Sequence, residues 1–217
     1  MDKFLVHFFP NGTENRTVMI GNNNVAGRVE DALGLTISTS GEIESSGCAN
    51  TTSISTGFPD GDVDAIRSRS AWSSSAPITD RYGSTDNATE ISNSLASFTS
   101  GSTVLGIKSI PESGNSSSVL QRIDSNGDIE KALIISDPLG GTYFSDMKTD
   151  GNETLLTVQY VSTPDVSSAI HAFESPLTHK WSKRIEPVSP DYSSIQINSI
   201  LYTGDGFVLV GNASKGT

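Results

Sequence analysis

Apolar positions along this chain come in short runs with period-two alternation, interrupted by turns rich in Gly, Asp and Asn. Hardly any segment carries the spacing of a helical apolar stripe, and the pattern predicts strands throughout. The clearest marker is a turn that recurs as Thr39-Ser40-Gly41, Thr99-Ser100-Gly101, Thr149-Asp150-Gly151 and Thr203-Gly204-Asp205-Gly206, its Thr positions 60, 50 and 54 residues apart. Strand-like segments precede each turn, at Leu33–Ser38, Leu95–Phe98, Tyr143–Met147 and Ile195–Tyr202. Others follow, at Glu42–Gly47, Thr103–Ile107, Thr154–Val161 and Phe207–Gly211. Gly between two β-prone runs is a hairpin signal with a steric cause, because the turn needs φ > 0.

After each of the first three hairpins a loop leads to a third strand, containing Ile66, Leu120 or Ile170, and then to a fourth, such as Ile129–Ile135 or Lys180–Ile185. The last hairpin lacks its outer strands, whereas Lys3–Phe9 and Arg16–Ile20 form an outer pair with no inner hairpin before it. Joining the two halves predicts a single all-β domain over residues 1–217. It is a four-bladed β-propeller of four-stranded antiparallel blades, its last blade closed by the N- and C-terminal segments, with Val6 as the fourth third-strand anchor. The blades span approximately 25–83, 84–139, 140–190, and 191–217 plus 1–24. Two other arrangements use the same halves: an open piece of a larger ring, and blade halves exchanged between chains.

The stretches Glu30-Asp31-Ala32-Leu33-Gly34-Leu35, Ser40-Gly41, Gly47, Phe58-Pro59, Asp64-Ala65-Ile66, Asp124-Ser125-Asn126-Gly127 and Asp205-Gly206-Phe207-Val208-Leu209-Val210-Gly211 resemble the β-propeller repeats of bacterial and archaeal surface proteins. The resemblance touches all four blades and implies the fold. Its motifs are structural and carry no catalytic residues across.

Composition narrows the partners. Hydrophobic residues make up 35% and aromatics 7%, with Ser, Thr, Gly and Asn filling the balance. The formal charge of −11 leaves 14 basic residues scattered among 25 acidic ones, which argues against nucleic acid and against an anionic membrane surface. No run reaches the length of a membrane span, and no signal peptide is recognisable at Met1–Pro10. Cys48 stands alone and reads as a buried, idle thiol.

Candidate chemistry lies in the first blade, where the segments Ala49–Val63 and Ser73–Glu90 are long. Phe58, Trp72, Arg81 and Tyr82 could make an aromatic and guanidinium platform for a sugar or a protein, or pack the loops down. Asp60, Asp62 and Asp64 alternate as Ca²⁺ ligands do, and Asp124, Asn126 and Asp128 form a shorter set. For both sets solvated turn acids are the simpler reading, so no cofactor is expected beyond Ca²⁺. His171 shares a third-strand position with His7, Arg67 and Gln121, which indicates a polar strand face. No nucleophile elbow, zinc-ligand helix or phosphate loop is present, so no enzymatic activity is expected.

Asn-X-Ser/Thr sequons stand at Asn11, Asn15, Asn50, Asn87, Asn115, Asn152 and Asn212, which suits an exposed glycoprotein. An extracellular composition without an export signal fits a virion component, such as a capsid turret, decoration or tail and receptor-binding protein. It would be made in the cytoplasm, act on the virion or extracellular surface, and assemble as a homo-oligomer or with other subunits. The alternative is a lectin-like or adhesin-like module for cell-surface glycans or proteins, with a propeller enzyme as a third class.

Overall fold

A computed structural model describes residues 3–20, 30–38, 40–50, 63–71, 78–83, 88–137, 140–150, 154–162, 167–187 and 189–215. These residues form strands and turns and contain no helix, so no helix is long and apolar enough to cross a membrane. The first hairpin is β1 (Lys3–Phe8) and β2 (Glu14–Ile20). Sheet 1 follows, with β3 (Glu30–Ile37), β4 (Ile43–Asn50), β5 (Val63–Ser70) and β6 (Ile78–Tyr82). Sheet 2 comprises β7 (Thr89–Ser97), β8 (Thr103–Ile110), β9 (Ser117–Ile123) and β10 (Ile129–Ile135). Sheet 3 comprises β11 (Gly141–Thr149), β12 (Thr154–Ser162), β13 (Ser167–Glu174) and β14 (Thr178–Ile185). The last hairpin is β15 (Tyr192–Tyr202) and β16 (Phe207–Lys215). All three four-stranded sheets are antiparallel meanders in chain order.

One turn length sets the register of the first three inner hairpins, and a turn one residue shorter sets that of the last. The backbone N–H of Ser38, Phe98, Asp150 and Thr203 donates to the carbonyl of Glu42, Ser102, Thr154 and Gly206 respectively. Gly41 and Gly101 occupy the left-handed position at φ 80° and 85°, open to a residue without Cβ. These four donors are equivalent positions, in steps of 60, 52 and 53 residues. Each first strand also carries a bulge at the same place: Ala32/Gly34, Ser92/Ser94, Phe144/Asp146 and Ile197/Ser199. Asp146 uses its bulge to reach the next sheet, where its Oδ2 accepts from Ser199 Oγ and Ile200 N, both at 2.9 Å.

Sheets stack in chain order, each first strand lying on the inner strands of the sheet before it: β7 on β3–β5, β11 on β7–β9, β15 on β11–β13. Three cores fill the junctions. Ala65 and Tyr82 meet Leu95, Leu105, Ile107 and Ile123 between sheets 1 and 2. Val104, Leu120 and Phe98 meet Phe144, Met147, Leu155 and Phe173 between sheets 2 and 3. Leu156, Val158 and Ile170 meet Ile197 and Ile200 beneath the last hairpin. Burying each such side chain stabilises by about 1.5–3 kcal/mol. Gly106 allows the second junction to close, since a Cβ there would lie 2.4 Å from Met147 Cε and 3.3 Å from Phe144 Cβ.

The expectation of an all-β chain of antiparallel four-stranded sheets is met, while β1–β2 and β15–β16 are two-stranded sheets and no sheet is closed. Chain order puts the three complete sheets between them, with β1 beside β3 and β15 on sheet 3. The third-strand alignment is also off by one in sheet 1. Ser46, Gly106 and Val158 are equivalent and pair with Arg67, Leu120 and Ile170, so Arg67, not Ile66, occupies the anchor position. His171 then aligns with Gln121 but not with Arg67.

Candidate functional site at the junction of sheets 1 and 2

The register exposes a concerted replacement. At the second junction Val104, Leu120 and Leu155 occupy three equivalent positions, and at the third Leu156, Ile170 and Phe207 do so. At the first junction the same positions hold Glu44, Arg67 and Thr103, with both charged residues only 1% exposed. Arg67 Nη2 donates to Glu44 Oε1 at 2.7 Å and to Thr103 Oγ1 at 3.1 Å, while Thr103 Oγ1 donates to Glu44 Oε2 at 2.5 Å. Arg67 Nε and Nη1 find no hydrogen-bond partner among the described residues. A second polar layer lies further out. Arg69 pairs with Asp80 at 3.0 Å and donates from Nη1 to Ser125 O at 2.7 Å, tying sheet 1 to the β9–β10 turn. Burial, with the charge of Asp80 beside it, pushes the Tyr82 phenol up to about 12, and its hydroxyl donates to Gly127 O at 3.2 Å.

Above this layer the sheets part around a cavity of 670 Å³. It is lined by Tyr82 and Gly83 at the end of sheet 1 and by Glu90, Ile107, Val119, Gln121 and Ile134 of sheet 2, of which Glu90 and Ile107 are buried and Ile134 is exposed. The equivalent place at the next junction is filled. There Gln159 Nε2 donates to Ser118 Oγ at 3.2 Å and Ile135 O at 3.3 Å. His171 Nε2 lies 3.0 Å from Gln159 Oε1, which can only accept, so His171 carries its proton on Nε2 and accepts from Ser182 Oγ at Nδ1, 2.7 Å away. Burial, with His179 nearby, depresses His171 to about 4. At the first junction Ile107, Gln121 and Ala132 stand where Gln159, His171 and Ser182 stand at the second, and the network is replaced by open volume.

The residues singled out by sequence fall as follows. Phe58, Trp72, Asp60, Asp62, Asn87 and Asn152 lie outside the described residues, as do most of the two long first-blade segments. Arg81 sits 3.9 Å from Asp64, which is buried, and Tyr82 is buried with its ring against the cavity. Asp64 packs over Gly83, where a Cβ would meet its Oδ1 at 2.0 Å. Asp124 Oδ1 accepts from the backbone N–H of Asn126, Gly127 and Asp128 at 2.8–2.9 Å, and these bonds, with that from Asp128 foremost, hold its carboxyl below the usual range. That oxygen organises the turn. Among the described residues no three His, Cys, Asp or Glu side chains converge as a metal site would require. Cys48 is buried. Asn11, Asn15, Asn115 and Asn212 are exposed, and Asn50 ends β4. Sequence reasoning missed Glu44, Arg67 and Gln121 as a group because their shared places depend on register. The signal that finds them is the shared turn spacing counted from Ser38 and Phe98.

No family model matches the chain, and no curated protein matches it in sequence.

Proposed function

We propose that the chain is a non-enzymatic structural or binding module, a propeller-type ring in which β15–β16 and β1–β2 supply the inner and outer halves of the fourth sheet. The observation that carries this reading is a pair of uncovered apolar faces at equivalent positions. Leu35 corresponds to Leu95, Met147 and Ile200, each buried in a junction, yet it is 57% exposed. Val208 corresponds to buried Val104 and Leu156, and is 48% exposed. Met147 and Val104 share one core, as do Ile200 and Leu156, so Leu35 and Val208 are the two sides of a junction awaiting its partner. The N-terminal hairpin supports the same arrangement, because β1 lies beside β3 as β5, β9 and β13 lie beside β7, β11 and β15. It thus takes the place of third and fourth strands in a sheet preceding sheet 1, which is what β15–β16 lacks.

The test is oxidation of Leu35→Cys/Val208→Cys in a Cys48→Ser background, read by intact mass. A disulfide within one chain supports the ring. A ladder of cross-linked copies overturns the ring and assigns the halves to neighbouring molecules, and a monomer without cross-links overturns both.

Placement on an exposed surface, that of a virus particle or a cell, is supported by the acidic, polar composition and by sequons at exposed Asn11, Asn15, Asn115 and Asn212. Hexose mass on protein from its natural source is the expected result, and unmodified mass at all four refutes the glycoprotein reading. A lectin-like or adhesin-like binding role is supported by the cavity beside Tyr82.

A further inference from the structure

Lys108, Tyr143 and Tyr160 meet at the end of the second junction where β8 finishes and β11 begins. Tyr143 and Tyr160 are cross-strand partners, with ring centroids 4.8 Å apart and ring planes tilted by 32°. Lys108 comes from sheet 2 and holds its Nζ 5.2 Å from the centre of the Tyr143 ring. All three side chains are half-buried. The same place holds Asp31 and Cys48 in sheet 1, Ile91 and Lys108 in sheet 2, and Gln196 and Asn212 in the last hairpin, so the repeat does not require a tyrosine pair. A ring face attracts an ammonium but offers no lone pair to its three N–H bonds. Acidic residues outnumber basic ones 25 to 14, yet among the described residues no carboxylate pairs with Lys108 and no hydrogen bond occupies either phenol. Burial, with Tyr160 beside it, raises the Tyr143 phenol above its ordinary value, so it keeps its proton at neutral pH.

We propose that Lys108, Tyr143 and Tyr160 form a site for an acidic sugar, the Lys108 ammonium facing its carboxylate and the two phenols its ring hydroxyls. Three donor groups without acceptors select an anion. Each phenol also accepts, and its ring adds apolar surface, which suits a pyranose better than an inorganic anion or a short aliphatic acid. The proposal rests on the lectin-like reading above and not on ring closure, because β8, β11 and β12 belong to four-stranded sheets that are complete.

The experiment follows the aromatic signals of Tyr143 and Tyr160 by NMR while the full chain is titrated with glucuronate, glucose, acetate and the peptide acetyl-Ala-Glu-Ala-amide. Glucuronate is expected to shift both rings and to bind about tenfold tighter than glucose, the size of one charge-assisted hydrogen bond. It should also bind severalfold tighter than acetate. Lys108→Met should remove the preference for glucuronate over glucose, and Tyr160→Phe should weaken both sugars severalfold while keeping the ring pair. Glucose or acetate binding as tightly as glucuronate, or no shift of either ring, overturns the proposal. Tighter binding of the peptide overturns it too and assigns the site to an acidic protein segment. Glucuronate shifts at Val119 and Ile134 alone overturn this site and leave the lectin-like reading standing at the cavity. Because cross-linking of Leu35 to Val208 involves none of these residues, the ring and the sugar site fail independently.

Discussion

Replacing Arg67 by Leu removes the guanidinium that faces Glu44 and leaves the carboxylate with Thr103 Oγ1 alone in a place 1% exposed. Breaking a buried pair from one side costs about 3–5 kcal/mol, because the remaining charge is uncompensated. For a chain of this length about 1 kcal/mol moves the melting temperature by roughly 2–4 °C, so Arg67→Leu should lower it by roughly 10 °C. Glu44→Val should cost as much from the other side. The second junction supplies a pattern for a compensated change, and the triple variant Glu44→Val/Arg67→Leu/Thr103→Leu copies Val104, Leu120 and Leu155. Apolar replacement of a whole buried ionic cluster is neutral or stabilising by about 1–4 kcal/mol. The case is favourable here, since Arg67 Nε and Nη1 make no hydrogen bonds among the described residues. Urea unfolding followed by circular dichroism should therefore rank the triple variant at or above the wild type and both single variants well below it, with unchanged denaturant slopes. If the triple variant is as unstable as the singles, the three sites are not interchangeable and the register equivalence is wrong.

Further outcomes follow from single sites. His171, depressed to about 4 from 6.5, binds a proton more readily unfolded than folded, so its contribution is present above pH 6.5 and is lost as pH falls towards 4. The shift corresponds to at most about 3 kcal/mol, and melting temperatures of wild type and His171→Gln should converge over that interval; parallel curves would refute the assignment. Gly106→Ala should cost about 1–3 kcal/mol by forcing Met147 and Phe144 apart, measured by the same urea unfolding, and an unchanged midpoint would show that sheet 3 yields freely. Tyr82 should be the last tyrosine to ionise in an ultraviolet titration, near pH 12, and an onset at 10 would place its ring in solvent. Cys48, being buried, should resist a thiol reagent until the chain unfolds, and labelling of native protein would contradict its placement.

Much of the strand layout is legible without coordinates. Alternation around turns at Gly41 and Gly101 marks the inner hairpins, because an L side chain is strained where φ is positive. Period-two patterning likewise predicts which residues of β9 face a core, with Leu120 buried and its neighbours less so. The sheet 1 anchor was misplaced for a physical reason. Apolarity drew the alignment to Ile66, and only hydrogen-bond register reveals that a buried arginine holds the place of Leu120 and Ile170.

The candidate cavity was legible only in part. Tyr82 could be singled out as an aromatic near the end of a strand, but not the partners its ring would meet. Glu90, Gln121 and Ile134 lie on different strands of sheet 2, and their convergence depends on how far sheet 1 covers them. The sequence by itself determined local matters: which segments are strands, where the inner hairpins turn, and that the composition is acidic and polar. Tertiary structure decided which face meets which, and that the first junction buries Glu44, Arg67 and Thr103 where the second packs Val104, Leu120 and Leu155. The reason is one of range. Turn sterics and alternation act over a few neighbouring residues, whereas burial, pairing and cavities arise between side chains brought together from more than fifty residues apart, as Glu44 and Thr103 are.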